Sequence, residues 1–218
     1  MNNFVQVGVI GLGKFGLEFG RQLAAQGVNV LGIDNREANI KEARHVFTQV
    51  YKANATQKEA LLQMGMGDLS HVLVSVGDSI AASAMISMYL KELGVPVVWV
   101  KAINQDHAKL LKKVGVDDVF MPERMAARQL ANRITIPGFI DYFPFNEEIV
   151  VKEIKINSWA GRSLRELNLT NKYRIQVIAV KKNQAKDYVL VPQADEKLAV
   201  DDLLVVIGEI NSLAQIEP

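Results

Sequence analysis

The stretch VGVIGLGKFG, residues 7–16, decides the fold of this chain. Its opening apolar run predicts a buried β-strand, and a helical pattern begins at Lys14. Between them lies the spacing Gly11-x-Gly13-x-x-Gly16, in which the first glycine permits a tight turn and the third allows close packing of helix on strand. The second glycine lets a pyrophosphate approach the backbone, and the helix N-terminus offers N–H groups and a positive dipole end to phosphate. The stretch therefore predicts a nucleotide-binding strand–loop–helix unit.

The alternation of strand and helix continues through residue 121. Candidate strands are Phe4–Ile10, Val28–Ile33, Gln49–Lys52, His71–Val76, Val97–Val100 and Asp118–Met121. Candidate helices are Lys14–Ala25, Glu37–Phe47, Gln57–Met64, Ser79–Leu93 and Gln105–Val114, with Asp78 and Ser79 as capping residues of the fourth. Several strands are apolar on consecutive residues, which is typical of a parallel sheet buried on both faces. We therefore expect an α/β fold with a Rossmann-like, doubly wound parallel sheet.

A different organisation follows the last of these strands. Pro122 precedes a helical stretch at Glu123–Ile136, and Pro137-Gly138 then predicts a turn or hinge. Further strands are expected at Ile149–Ile156, Ile175–Lys181, Tyr188–Val191 and Leu203–Ile207, with short helices at Leu164–Leu167 and near Ser212–Ile216. We interpret 1–136 as the Rossmann-like lobe with its final helix, 137–145 as a hinge or linker, and 146–218 as a second, smaller α+β lobe. A lobe of about 70 residues has a small core, so we expect it to dock on a second copy of the chain.

The composition excludes several classes of protein. The 218 residues are 49% hydrophobic and 22% charged, which predicts a packed core without long disorder. The formal net charge of +1 and the pI near 7.9 do not indicate nucleic acid as a partner. The absence of cysteine excludes disulfides, thiolate catalysis and cysteine-ligated zinc. The N-terminus lacks the basic region of a signal peptide, and no apolar run approaches the roughly 20 residues of a membrane span, so we expect a soluble, cytosolic protein.

Asp34 stands at the end of the second strand, close to the usual spacing of about 20 residues from the glycine loop. A carboxylate there is expected to accept hydrogen bonds from both ribose hydroxyls and to repel a 2′-phosphate, which disfavours NADP. NAD and the adenine mononucleotides both carry the free diol, so Asp34 leaves the choice between them open.

Polar residues follow other strands at the edge where Rossmann folds bind their ligands. Asn54-Ala55-Thr56 follows the third strand, Ser75-Val76-Gly77 the fourth, Lys101 the fifth and Glu123 the sixth. Turn formation or helix capping explains Asn54 and Ser75 equally well. A solvated strand end would explain Lys101, and a favourable helix start would explain Glu123.

The sequence shows no set of catalytic residues beside the glycine loop. His45, His71 and His107 stand apart from any second catalytic group, and there is no H-x-x-x-H pair and no G-x-S-x-G elbow. A dehydrogenase needs a domain that positions substrate against the nicotinamide, and the second lobe shows no acid–base set. We therefore expect a protein that is not an enzyme, with a small NAD-dependent oxidoreductase or a redox-sensing regulator as alternatives. Such a regulator needs a basic recognition helix, which the sequence does not show.

The chain resembles the RCK domain of the TrkA type over nearly its whole length, with both lobes in the same order. The segments that carry the resemblance are VIGLGKFG (9–16), GIDNR (32–36), ANAT (53–56), VSVGD (74–78), WVKA (99–102), HAKLLKKVGVDDVFMPER (107–124), AGRSLRELNL (160–169) and DDLLVVIG (201–208). More narrowly, the chain is similar to the peripheral nucleotide-binding regulatory subunit of bacterial Ktr/Trk potassium-uptake systems.

The resemblance implies a function and an assembly. Such subunits form a ring, typically an octamer, on the cytoplasmic face of a separate membrane potassium-translocating subunit. Exchange of ATP, ADP or NAD(H) in the ring drives a conformational change that gates transport. The nucleotide site implied is Gly11, Gly13, Lys14, Phe15, Gly16, Asp34, Asn35, Arg36, Asn54, Ala55, Thr56, Ser75, Val76, Gly77, Lys101 and Glu123. Glu123 is implied as the ligand of a phosphate-bound divalent cation such as Mg²⁺, and the helix after it as a crossover helix between subunits.

Three details refine this resemblance. Lys14 stands where the family usually has arginine, which keeps the charge but loses the bidentate fork, so we expect a less sharp discrimination of ATP from ADP. Phe139, Ile140, Tyr142 and Phe143, just past the Pro-Gly turn, would be apolar because they meet a partner subunit. Some relatives bind cyclic di-AMP in the second lobe, and no residue of this sequence supports that assignment.

Overall fold

The computed structural model describes residues 6–77, 79–143 and 146–218, and the chain divides into two compact units. The first unit ends at Pro122 and the second begins at Glu123. This boundary falls before the helix that the sequence placed at the end of the first lobe, so the extent of the two lobes stays a prediction. Among the described residues, no helix is long and apolar enough to cross a membrane.

A six-stranded parallel sheet forms the first unit, in the order β3-β2-β1-β4-β5-β6. Its strands are β1 Gln6–Ile10, β2 Asn29–Asp34, β3 Gln49–Lys52, β4 His71–Val74, β5 Val97–Lys101 and β6 Asp118–Phe120. Its helices are α1 Lys14–Ala25, α2 Glu37–Ala43, α3 Lys58–Gln63, α4 Ile80–Glu92 and α5 Gln105–Val114, with a short 3-10 helix at Met66–Asp68. The strand order reverses between β1 and β4, which confirms the predicted doubly wound, Rossmann-like sheet.

Both faces of this sheet are buried, as the consecutive apolar residues of its strands predicted. Successive side chains of a strand point to opposite faces, so Val72 and Val74 of β4 join one apolar core and Leu73 joins the other. Helices α3, α4 and α5 contribute to the first core, and α1 and α2 to the second. The sheet is therefore a rigid layer whose carboxyl edge can carry a site.

The helix ends follow local capping chemistry. Asn104 caps α5 through its side chain, and Gly115 ends that helix in the left-handed region with φ 88°. The side chain of Ser79 caps α4, as predicted. Asp78 and residues 4–5 of the predicted first strand lie outside the described residues.

Two elements of the first unit end two or more residues before their predicted ends. The helix expected over 37–47 ends at Ala43, because the chain then turns and buries Phe47 against Gly20 and Gly32. The strand expected over 71–76 ends at Val74, which leaves the next three residues in a loop at the sheet edge.

A five-stranded antiparallel sheet forms the core of the second unit, in the order β10-β9-β11-β8-β7. The strands are β7 Phe139–Phe143, β8 Asn146–Lys155, β9 Gln176–Lys181, β10 Val189–Leu190 and β11 Leu203–Glu209. The helices are α6 Pro122–Thr135, α7 Leu164–Leu167, α8 Leu169–Tyr173 and α9 Ile210–Leu213. These elements confirm the smaller α+β lobe, in which α8 was not predicted and α9 begins two residues before its predicted start.

The segment predicted as a hinge, 137–145, contains strand β7, which pairs with β8. Phe139 is 8% exposed and lies in the core of the second unit, so the expectation that it meets a partner subunit is wrong for this residue. Ile140 is exposed, while the side chains of Tyr142 and Phe143 lie outside the described part of the structure.

Candidate nucleotide-binding site

A cavity of about 310 Å³ opens at the carboxyl edge of the parallel sheet. It spans the point between β1 and β4 where the strand order reverses, which is the usual ligand position of a doubly wound sheet. Ten of the predicted site residues line it: Gly11, Asp34, Asn35, Arg36, Asn54, Ala55, Thr56, Ser75, Val76 and Gly77. The fold thus brings together residues from the ends of four strands that are far apart in sequence.

Two glycines of the loop are required by the protein's own packing. Gly11 has φ +91°, and a Cβ on it would lie 2.7 Å from the carbonyl oxygen of Ser75. A Cβ on Gly16 would overlap the carbonyl oxygen of Gly11. The tight turn therefore requires glycine at position 11, and the close approach of α1 to β1 requires glycine at position 16.

Gly13 is different, because no contact among the described residues requires a glycine there. Its φ of −70° and ψ of −170° suit any residue, and a Cβ on it would meet no atom of residues 6–77, 79–143 or 146–218 within 4 Å. It is the N-cap of α1, where no side chain makes a capping hydrogen bond and the first turn carries no acidic residue. Open space at an uncapped helix N-terminus is the arrangement that a phosphate group fits.

Asp34 is 6% exposed, and its carboxylate connects three segments of the first unit. Its Oδ2 accepts hydrogen bonds from the Leu12 N–H at 2.7 Å and from the Asn39 side-chain amide at 2.8 Å. Its Oδ1 accepts one from the Arg36 N–H at 2.7 Å. Asp34 therefore fixes the glycine loop and the start of α2 while it lines the cavity.

The Asn54 side chain forms a turn at the end of β3. Its Oδ1 accepts hydrogen bonds from the N–H of Thr56 at 3.1 Å and from the Thr56 hydroxyl at 2.8 Å. Asn54 thus forms the turn that the sequence analysis offered as its structural role, and both Asn54 and Thr56 also line the cavity. Ser75 is buried beside them, and its N–H donates to the carbonyl of Ile10 at 2.7 Å.

Lys101 lies beside the cavity without lining it. Its Nζ is 3.9 Å from the position that a Cβ on Gly77 would take. The ammonium group is therefore next to a lining residue on the side of β5, where it can interact with an anionic ligand.

Three predicted residues of α1, Lys14, Phe15 and Gly16, do not line the cavity. Lys14 is exposed at the first position of the helix. The ring of Phe15 packs on Phe120, with 5.4 Å between ring centroids, and also stacks on Phe19. A packing role thus accounts for Phe15.

Glu123 is exposed in the first turn of α6 and belongs to the second unit. Within 6–77, 79–143 and 146–218, no group of three or more His, Asp or Glu side chains could hold a metal ion. A cation bound chiefly by nucleotide phosphates needs only one or two protein carboxylates, so the metal role of Glu123 stays a prediction.

Sequence reasoning missed several lining residues. Three of them, Ser79, Ala82 and Ile86, come from the start of α4, and Ile10, Ile33 and Ala53 supply apolar surface. Ser79 was recognised only as a helix cap, although the first turn after β4 faces the switch point of the sheet. Asn39 was also missed, since an amide in a short helix carries no distinctive pattern.

His107 is buried in the first turn of α5, with 1% of its surface exposed. The Ile103 N–H donates to its Nδ1 at 3.3 Å, and its Nε2 has no hydrogen-bond partner among the described residues. Burial lowers the pKa of His107, because the charged imidazolium is poorly solvated there. The residue is therefore a neutral core histidine, and the structure gives it no second catalytic group among the described residues.

The fold and the cavity define a Rossmann-like protein with a ligand site at the switch point of its sheet. The family model of the TrkA-N domain matches residues 7–122, and that of the TrkA-C domain matches residues 149–218. The chain therefore belongs to the TrkA family, as the resemblance in its sequence indicated.

Curated relatives match both units together. Ktr system potassium uptake protein C of Bacillus subtilis is 35% identical over 96% of this chain and 94% of its own length. Ktr system potassium uptake protein A of Vibrio alginolyticus is 31% identical over 96% of this chain and 94% of its own. The solved GsuK channel bound to NAD shares the fold, with a TM-score of 0.56 at 18% identity over 96% of this chain and 37% of the channel chain.

Proposed function

We propose that the chain is a nucleotide-binding regulatory subunit of a potassium-uptake system and that it catalyses no reaction. Similarity to two Ktr proteins along nearly the whole chain supports the role in potassium uptake. The observation that carries nucleotide binding is Gly13, whose missing side chain leaves open space at the uncapped N-terminus of α1. Packing within the described part of the structure does not explain this glycine, whereas a bound phosphate would.

The ligand is an adenine nucleotide with a free ribose diol: ATP, ADP or NAD(H). The carboxylate of Asp34 at the cavity wall disfavours a 2′-phosphate and therefore NADP. Ile33, Ala53 and Ile86 supply apolar surface for the base, near the Asn54 turn. The phosphates extend over Gly13 toward Lys14 and Lys101.

The proposed regulation is a shift between two conformations of an oligomer. A ligand shifts such an equilibrium only by the difference between its affinities for the two states. ATP and ADP differ by one phosphate, so Lys14, Lys101 and a Glu123-bound Mg²⁺ are the groups expected to read that difference.

The partners are further copies of the chain, in a ring of eight, and a separate membrane subunit that conducts potassium. Helix α6 supports contact with another chain, because Met125, Leu130 and Ile134 are exposed on it and Ile134 is 85% exposed. The chain would act on the cytoplasmic face of the membrane through that membrane subunit.

Calorimetric titration of the purified chain with ATP, ADP, NAD⁺ and NADH, each with and without Mg²⁺, tests this function. We expect the chain to bind adenine nucleotides and its oligomer to differ in mass or shape between the ATP-bound and ADP-bound forms. We expect neither NAD⁺ nor NADH to be consumed. Steady loss of NADH absorbance with a small substrate would instead favour an oxidoreductase. If none of the four ligands binds, the proposal is wrong.

A further inference from the structure

The hydrogen-bond acceptors of Asp34 are nearly all in use within the protein. An ionised carboxylate offers about four lone-pair sites, two on each oxygen. Oδ2 accepts from Leu12 N–H at 2.7 Å and from the Asn39 amide at 2.8 Å, so both of its sites are taken. Oδ1 accepts from the Arg36 N–H at 2.7 Å, which leaves one site on that oxygen.

The Arg36 side chain does not take this remaining site. Its Nε is 3.7 Å from Oδ1, which is an ion-pair distance and too long for a hydrogen bond. The guanidinium is also 62% exposed. One acceptor site on Oδ1 therefore remains for a ligand.

We propose that Asn39 is a specificity-determining residue that restricts Asp34 to a single ribose hydroxyl. This inference rests on the proposed nucleotide site and corrects the expectation that the carboxylate accepts from both hydroxyls. Asn39 is the one side-chain donor among the three, since Leu12 and Arg36 donate through their backbones. The identity of residue 39 therefore determines how many ribose hydroxyls can donate a hydrogen bond to Asp34.

The position of Asn39 makes this contact well defined. It lies in the first turn of α2, half-buried, and the backbone of that turn is held to Asp34 through the Arg36 N–H. Because the helical turn already fixes the backbone of Asn39, its amide loses little further conformational entropy when it binds Oδ2. It therefore competes effectively with a ligand hydroxyl for that oxygen. A hydroxyl can reach Oδ2 only by displacing Asn39.

The test measures ADP, 2′-deoxy-ADP and 3′-deoxy-ADP binding to the native protein and to Asn39→Ala. In the native protein, the deoxy ligand that lacks the hydroxyl bound to Oδ1 should bind roughly tenfold more weakly than ADP or worse, as expected for loss of a hydrogen bond to a charged group. The deoxy ligand that lacks the other hydroxyl should bind nearly as well as ADP. In Asn39→Ala, the vacated site on Oδ2 accepts the second hydroxyl. The ligand that the native protein tolerated should then also bind roughly tenfold more weakly than ADP.

Two further variants separate this role from a merely structural one. Asn39→Gln keeps the amide donor and should retain the native preference, and Glu42→Gln, an exposed change on the same helix, should match the native protein. A structural defect would weaken all three ligands by one factor and leave their ratios unchanged.

Equal losses for the two deoxy ligands in the native protein would overturn the inference. If the affinities of the two deoxy ligands relative to ADP are the same in Asn39→Ala as in the native protein, the inference is overturned as well. If the native protein does not bind ADP at all, the proposed function itself fails, and this inference fails with it.

Discussion

The backbone N–H of Leu12 donates a 2.7 Å hydrogen bond to Oδ2 of Asp34, which ties the glycine loop to the end of β2. The carboxylate that is expected to bind the ligand is thus also part of the structure that shapes the loop. Structural and ligand roles of Asp34 must therefore be separated in any mutational test.

Asp34→Ala should lower both stability and nucleotide binding. The substitution leaves the N–H groups of Leu12 and Arg36 without their acceptor, at an expected cost on the order of 3 kcal/mol. Urea unfolding followed by circular dichroism measures this loss. An unfolding midpoint equal to that of the native protein would contradict the structural role.

Gly13→Ala should leave stability within about 1 kcal/mol of native, because its dihedral angles and surroundings accommodate a Cβ. Nucleotide affinity should fall at least roughly tenfold, since the methyl group occupies the space proposed for phosphate. Gly16→Ala is the matched control: its Cβ overlaps the Gly11 carbonyl, so it should lose roughly 3 kcal/mol of stability. Native affinity in a folded Gly13→Ala protein would argue against the phosphate site.

Lys101→Met should weaken nucleotide binding roughly tenfold, because it removes an ammonium group beside Gly77. The effect should shrink at high salt, where charge interactions are screened. Lys109→Met is the matched control, since Lys109 is exposed on α5 and pairs with Asp106 at 3.0 Å. Equal affinities of the two variants would remove Lys101 from the site.

The stability of the first unit should fall between pH 7 and pH 5, and His107 should account for part of the fall. Burial lowers its folded pKa below the unfolded value of about 6.5, so the unfolded chain binds the proton first as the pH falls. Stability from neutral His107 is thus present above pH 6.5 and is lost below it, at up to about 1.4 kcal/mol per pH unit. A plot of unfolding free energy against pH should be flatter for His107→Gln than for the native protein over this range. Parallel curves would exclude the effect.

Glu123→Gln should reduce the dependence of ATP binding on Mg²⁺ and leave ADP binding without Mg²⁺ unchanged. The reason is that the amide keeps the shape of the side chain and loses the charge that a divalent cation prefers. Titrations at several Mg²⁺ concentrations measure the dependence. A dependence identical to that of the native protein would end the metal role of this residue.

The elements that the sequence predicted best have strong local signals. Helix α5 begins at the Asn104 cap and ends at Gly115, and its predicted and observed bounds agree. Strand β7 was missed because its partner β8 supplies the pairing, and a Pro-Gly turn before it looks like the start of a linker. Helix α8 lacks a glycine at its end, where Arg174 takes the left-handed conformation instead.

The residues of the candidate site could be predicted where their position at the end of a strand places them at the cavity. They could not be predicted where the direction of a side chain determines its contacts. The ends of four strands supplied the ten lining residues, since parallel strands end at one edge. The orientation of Phe15 toward Phe120 and the reach of Asn39 to Asp34 depend on packing in three dimensions. No pattern in the sequence distinguishes them from their neighbours.

The central position of β11 in the second sheet has a consequence for synthesis of the chain. β11 lies between β9 and β8, so the hairpins on either side of it have no shared sheet until residue 209 has left the ribosome. The parallel sheet of the first unit is complete once residue 120 has emerged. Because domains generally fold as they are synthesised, the nucleotide cavity should exist on nascent chains whose second sheet has not formed. Cellular nucleotides would then meet this protein before its translation ends.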